Sequence, residues 1–389
     1  MFEILIKLAS KKISQLSSIK LILIGIILTL SLITISVLFF KTSDEDNWVK
    51  SGKYFTDAIA TFNPEGTYVT QVSHRLGVSV LWISAGIYSI FGSLTFNNLL
   101  KIHRLVFLLI NLGLFFSAIN ILRKYIHTRV LILAILYLLL NRFFPIIGRS
   151  TWLDQFLTFF GLLTVIFWTK YLFERKHSQL ITASIFNGLL LLTKYAGWYF
   201  TPIIIALSWL YCYRHQMPFT KVFKPLILLV FSSLFIFILF YPAVWIDPYK
   251  TLFLRLEDTT TVVKKTQDIW DYLLEIRLIS PILIIGAIFT FLDWKRKKLD
   301  FLFFFSLAGI FYLSIYVLTF LGLIVTSRLD YPFLEGVYRY TFPAIPILTL
   351  YTFSRYKIYI KTRDLQIALI LFLFVWEIIF SPFLIFGRF

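Results

Sequence analysis

LILIGIILTLSLITISVLFFKTSDED, residues 21–46, decides the fold. Its apolar part, Leu21 to Phe40, has about the length that crosses a bilayer. Asp44, Glu45 and Asp46 follow directly. The span needs no charge at that place. A carboxylate cluster at the water-facing mouth of a membrane bundle is a candidate acid/base site.

Working outward, the whole chain has the same character. It is 59% hydrophobic, 19% aromatic and only 15% charged over 389 residues, which excludes a soluble domain of that size. Apolar runs recur from end to end, so residues 1–389 read as one polytopic membrane domain. Residues 21–40 are too long for a signal-peptide core and no small-residue cleavage site follows, so they read as a retained span. Ahead of them, Ile4, Leu5, Leu8 and Ile13 interleave with Lys7, Lys11 and Lys12. That pattern suits an amphipathic helix on an anionic leaflet. The net charge of +18 is then accounted for by membrane phosphate, without nucleic acid. A lone Cys212 excludes an internal disulfide and a cysteine metal framework.

Basic clusters between the apolar runs set direction. They are Lys11-Lys12 with Lys20; Arg123, Lys124 and Arg129; Arg175-Lys176; Arg214, Lys221 and Lys224; Lys295 to Lys298; and Arg355, Lys357, Lys361 and Arg363. Placing them all in the cytoplasm satisfies the positive-inside tendency and puts Asp44 outside. This holds only if residues 77–92 do not cross. They are short and carry Gly77, Gly86 and Gly92, so they read as an interfacial helix. Residues 53–62 read similarly, with Phe55, Ile59 and Phe62 on one helical face. Asn63-Pro64-Glu65-Gly66 is a turn between them.

The expected fold is all-α, with about eleven transmembrane helices and interfacial helices in the first outer loop. The crossings fall near 21–40, 103–122, 130–147, 152–173, 179–195, 198–213, 225–243, 277–293, 301–325, 341–354 and 365–385. Two long loops, 41–102 and 243–277, share the face of Asp44. Loops without a task are usually short, so function is expected there.

Few polar groups stand at the outer helix ends: Arg149, Asp154, Lys194, Asp247 and Arg339. Each basic residue taken alone is accounted for by snorkelling to the interface. Asp154 is harder to dismiss, because a carboxylate snorkels poorly and Trp152 marks the interface. An ion pair with Arg149 is its ordinary alternative.

These residues fall into short motifs. They are Asp44-Glu45 with Trp48; His74-Arg75 before Gly77-Val78 and Leu81-Trp82; Arg149 to Asp154; Gly188-Leu189 through Thr193-Lys194; Tyr241-Pro242 through Trp245 to Pro248; and Arg339-Tyr340 with Pro343 and Pro346. In that order they resemble the GT-C glycosyltransferases of the protein-mannosyltransferase and aminoarabinose-transferase superfamily, across most of the chain. The sequence departs from that pattern at His74-Arg75-Leu76, which lacks the proline after the histidine. No large outer domain is expected after the last span.

The resemblance implies an inverting transfer of a sugar from a polyprenyl-phosphate donor to an acceptor hydroxyl, outside the cytoplasmic membrane. Nucleotide sugars are absent there, so a lipid-carried donor fits. The resemblance assigns Asp44 as general base, Glu45 as the neighbour that tunes it, and Asp154 as acceptor-orienting or Arg149-holding. It assigns donor phosphate to Arg75, Lys194, Arg339 and Arg149, where charge grows on the leaving group. His74, Tyr340 and Trp48 are scaffold or acceptor contacts. No metal ligand set and no cofactor is expected, although a divalent cation near Asp44 is compatible with the carboxylates. The partners are the donor lipid, membrane lipids and a protein, glycan or lipid acceptor. The N-terminus is expected in the cytoplasm of a plasma or inner membrane protein. Two other classes compete. A lipid-linked-sugar flippase needs charges at mid-membrane and repeated broken helices. A membrane scaffold needs no ordered set of outer carboxylates and bases.

Overall fold

The computed structural model describes residues 45–67, 77–140, 153–248, 280–325 and 343–380, and these are helical, with no strand among them. In chain order the helices are α1 (Glu45–Ala60), α2 (Val78–Phe91), α3 (Phe96–Leu122), α4 (Thr128–Leu140), α5 (Leu153–Glu174), α6 (His177–Thr193) and α7 (Phe200–Arg214). They continue as α8 (Thr220–Phe240), the short α9 (Pro242–Ile246), α10 (Pro281–Lys295), α11 (Phe301–Val325), α12 (Ala344–Tyr359) and α13 (Arg363–Phe380). Each expected crossing among the described residues meets a helix, but the boundaries move. α3 begins at Phe96 rather than at 103, and α8 at Thr220 rather than at 225. The expected first span, 21–40, lies outside the described residues. Among those residues α3, α5 and α8 are long and apolar enough to cross a membrane, so the count of about eleven is not carried by the structure.

α5 is the hub. It packs against α3, α6, α7, α11 and α12. Nearly every position from Leu153 to Leu172 is buried, so the helix is apolar all round rather than striped. Gly161 brings α7 close, because a Cβ there would stand 2.4 Å from the Phe200 ring. Gly188 brings α6 against α8 in the same way, with Ile236 Cβ 2.7 Å away. In lipid, close approach of helices is a main source of association, and small residues permit it.

A buried polar knot ties the C-terminal ends of α10 and α12 to the start of α11. Asp293, fully buried, accepts hydrogen bonds from Arg355 Nε at 2.8 Å, Tyr351 OH at 2.7 Å and the Tyr359 hydroxyl. Arg355 Nη2 also donates to Asp300 Oδ1 at 2.5 Å. Four partners repay the cost of desolvating these charges, which a bare pair does not always do.

α1 and α2 cover the helices read from the sequence at 53–62 and 77–92, and they pack side by side. α1 starts earlier than expected, at Glu45, and stops at Ala60. One expectation fails here. Phe62 does not share a face with Phe55 and Ile59: Phe55 is 1% exposed and Phe62 93% exposed, with a left-handed φ of 50°. The chain has left the helix before it, so helical periodicity no longer applies.

Candidate active site

Four helix ends meet. Asp154 opens α5, where a carboxylate favours the helix dipole. Lys194 follows α6 in extended conformation. Its Nζ donates to Asp154 Oδ1 at 2.6 Å, and the side chains are 17% and 5% exposed. At that burial the attraction is screened far less than at a surface.

Local sequence fixes the lysine. Gly197 closes a turn onto the Lys194 carbonyl, its N–H donating at 2.8 Å. A Cβ on Gly197 would stand 2.3 Å from the Leu190 carbonyl oxygen, so the chain reverses tightly only because this residue is glycine. The turn expected at 195–197 is therefore present, as a 3₁₀ turn over Tyr195–Tyr199. Thr193, one residue before the lysine, donates from Oγ1 to the Leu189 carbonyl at 2.7 Å and takes the Ser79 hydroxyl at 2.9 Å. The threonine hydrogen is used within its own helix, so Ser79 is the donor. This buried bond docks α2 on the end of α6.

α1 arrives at the same place. Trp48 is buried, and a Cβ on Gly77 would stand 2.3 Å from its ring and 3.2 Å from Leu153. Trp48 thus sits where the starts of α1, α2 and α5 come together. Glu45 is the first position of α1, one turn ahead of Trp48. Gly52 lets α1 and α2 touch further along, since a Cβ there would meet Ser84 Cβ at 2.5 Å. The middle of α2 is held by Trp82, whose Nε1 donates to the Phe240 carbonyl at 2.8 Å and whose ring meets Phe55 and Phe240 edge-on. α9, which opens the second long loop, packs on the turn Glu65–Thr67 of the first. The two long loops therefore share one end of the bundle.

Of the expected site residues, the structure joins Asp154 to Lys194 and sets Trp48 where Gly77 and Leu153, the residue before Asp154, come together; Glu45 is placed as the first position of α1. Asp44, His74, Arg75, Arg149, Arg339 and Tyr340 lie outside the described residues. The alternative of an ion pair between Asp154 and Arg149, five positions back within the same motif, falls on a residue outside those described; the partner described for Asp154 is Lys194, on another helix. Spacing along one helix could not show this. Among the described residues no group of three or more His, Cys, Asp or Glu side chains could hold a metal ion.

Other polar groups were passed over in the sequence. Next to Asp154, Gln155 accepts from the Asn111 amide of α3 at 2.5 Å, fully buried. His103, also on α3, donates from Nδ1 to the Leu99 carbonyl at 2.9 Å and is buried between Tyr88 and Phe107. Glu377 of α13 is 1% exposed and accepts from Tyr137 OH at 2.6 Å and Ser280 Oγ at 2.8 Å. A glutamate within the apolar run Val375 to Phe380 was the visible signal for it.

No protein-family model matches the chain, and no curated protein matches its sequence. Two solved structures resemble it closely in shape. A crystal structure of ArnT from Cupriavidus metallidurans in the apo state is 15% identical and superposes with a TM-score of 0.56 over 86% of this chain and 60% of that one. A structure of ArnT from the same source bound to undecaprenyl phosphate is 13% identical, with a TM-score of 0.57 over 92% and 63%. This chain thus spans about three-fifths of the length of those proteins. Over that shared length the chain has an ArnT-like, all-helical fold, with the Asp154–Lys194 pair where the ends of α5 and α6 meet.

Proposed function

We propose that the protein transfers a sugar, with inversion, from a polyprenyl-phosphate donor to an acceptor hydroxyl on the extracytoplasmic face of the membrane. The observation that carries this reading is the buried Asp154–Lys194 pair at the bundle end where the acidic start of α1 arrives. A protein of the same fold was crystallised with undecaprenyl phosphate, the class of lipid such a donor releases.

The chemistry assigns each group a task. The Asp44 carboxylate takes the proton of the acceptor hydroxyl. The oxygen attacks the sugar C1, and the C1–O bond to phosphate breaks with its electron pair leaving on the lipid phosphate. Negative charge grows there, and Lys194, Arg75, Arg339 and Arg149 are the cations to meet it. Asp154 holds Lys194 in place, so the lysine is shared between carboxylate and phosphate. Glu45, next to Asp44, raises the proton affinity of the base. A divalent cation by Asp44 is compatible with this scheme but unnecessary, because no diphosphate needs bridging.

The test is release of polyprenyl phosphate from a labelled polyprenyl-phosphate sugar by the purified protein in nanodiscs, with acceptor-bearing membrane extract added. Acceptor-dependent release is expected. Movement of the intact lipid across the bilayer without cleavage would overturn the reading. That result would favour the flippase class, for which the intramembrane carboxylate Glu377 is the supporting observation.

A further inference from the structure

The far end of the α1–α2 pair is built as an exposed apolar tip. α1 ends in a Schellman arrangement: the Asn63 N–H donates to the Ala58 carbonyl at 2.8 Å and the Phe62 N–H to Ile59 at 3.1 Å. This forces residue 62 into the left-handed region, where glycine is usual and a bulky side chain is costly. The other non-glycine residues with positive φ, among those described, are Arg175, Gln216 and Lys297, all long and polar. At Phe62 the arrangement instead turns an aromatic ring outward, 93% exposed.

The tip is a patch, not a single ring. α1 and α2 run in the same direction, since Trp48 meets Gly77 and Gly52 meets Ser84. Their C-terminal ends therefore lie together, and Ile90 is 73% exposed beside exposed Phe91, Leu94 and Phe96. Depth follows from α3. Its 27 residues span about 40 Å at 1.5 Å each, some 10 Å more than a hydrocarbon core. Tyr88 of α2 meets His103 of α3 edge-on, with ring centres 5.7 Å apart, so the tip of α2 lies beside the first two turns of α3. Those turns are the surplus length. Further down α3, Leu105, Leu109 and Phe116 form an exposed apolar stripe at helical spacing. Lys50 and Lys101 stand exposed around it, and Lys50 Nζ lies 5.9 Å from the Phe96 ring centre.

We infer that Phe62, Ile90 and Phe91 form a wedge set into the phospholipid leaflet on the side of the candidate site. The wedge sits at the boundary of headgroups and acyl chains, and the lysines meet lipid phosphate. α1 is then fixed at two points: Trp48 against α5, and Phe62 in lipid. The wedge sets the tilt of α1 relative to α5. This rests on α3 crossing the membrane and not on the transfer reaction.

The experiment is spin labelling in nanodiscs of phosphatidylethanolamine and phosphatidylglycerol, on a Cys212→Ser background. Nitroxides are placed by Phe62→Cys and Ile90→Cys, with Lys53→Cys as the water reference and Leu109→Cys as the lipid reference. Collision with oxygen is compared with collision with a water-soluble nickel chelate. The ratio at 62 and 90 is expected to rank with 109, several-fold above 53. A ratio at 62 and 90 equal to that at 53 would overturn the wedge. So would protection from both reagents, which would put a protein surface or a second copy there instead. The label at 90 gives its own answer if the substitution at 62 disturbs the turn.

Discussion

Lys194 and Asp154 set the sharpest question at the scale of single residues, because one contact serves both stability and chemistry. Removing one partner of a buried ion pair costs up to about 3–5 kcal/mol. Lys194→Met and Asp154→Asn should therefore each lower the unfolding temperature in detergent. The double variant should lose less than the sum, since the two residues are coupled by their direct bond. Transfer should remain lost in the double variant, because the phosphate still lacks its lysine. Scanning fluorimetry and the release assay separate the two effects; recovery of activity along with stability would make the pair purely structural. Asp44→Asn is the complementary case. It should cut turnover by about 10²–10⁴-fold as a lost general base, with little change in unfolding temperature. Asp44 and Lys194 were both legible in the sequence, as charges at the mouths of apolar runs. The partner of Asp154 was not legible at all: the bond joins residues 40 apart on different helices.

Among the elements, the α1–α2 pair shows what sequence could and could not give. Its existence followed from the basic loops downstream, which face one way only if residues 77–92 do not cross. Its packing came from glycines whose neighbours are distant in sequence. Gly77 was visible as a helix-breaking residue, but not as the slot for Trp48. Gly77→Ala should destabilise the protein by about 1–3 kcal/mol through overpacking, and should lower transfer although residue 77 carries no functional group. Gly86, which has open space around it, is the control: Gly86→Ala should be neutral or slightly stabilising by helix propensity. Equal effects at 77 and 86 would show that Trp48 does not position α1. The knot around Asp293 was likewise hidden. Arg355 read as one more positive-inside charge, because a count of basic residues cannot tell a solvated cation from one buried at 62 positions' distance from its carboxylate.

The molecule as a whole raises the matter of direction across the membrane. The basic clusters that orient it recur at the ends away from the candidate site: Arg175 and Lys176 follow α5, Arg214 ends α7, and Lys295 to Lys298 follow α10. Asp154 and Lys194 lie at the opposite ends of α5 and α6. The proposed orientation, with the site outside the cytoplasm, follows the positive-inside tendency. Cys212 cannot report this, although it stands near the end of α7, because its side chain is 3% exposed and a maleimide would not reach it. Exposed positions do better on a Cys212→Ser background. Ser178→Cys, in the first turn of α6, should react with a membrane-impermeant maleimide only after permeabilisation. Lys53→Cys, on α1, should react in intact cells. The reverse pattern would put the carboxylates in the cytoplasm, where nucleotide sugars are present, and would remove the reason for a lipid-carried donor. Labelling of both positions in sealed cells would mean that a further crossing separates α1 from α6, and that residues 77–92 or their neighbours pass through the membrane after all.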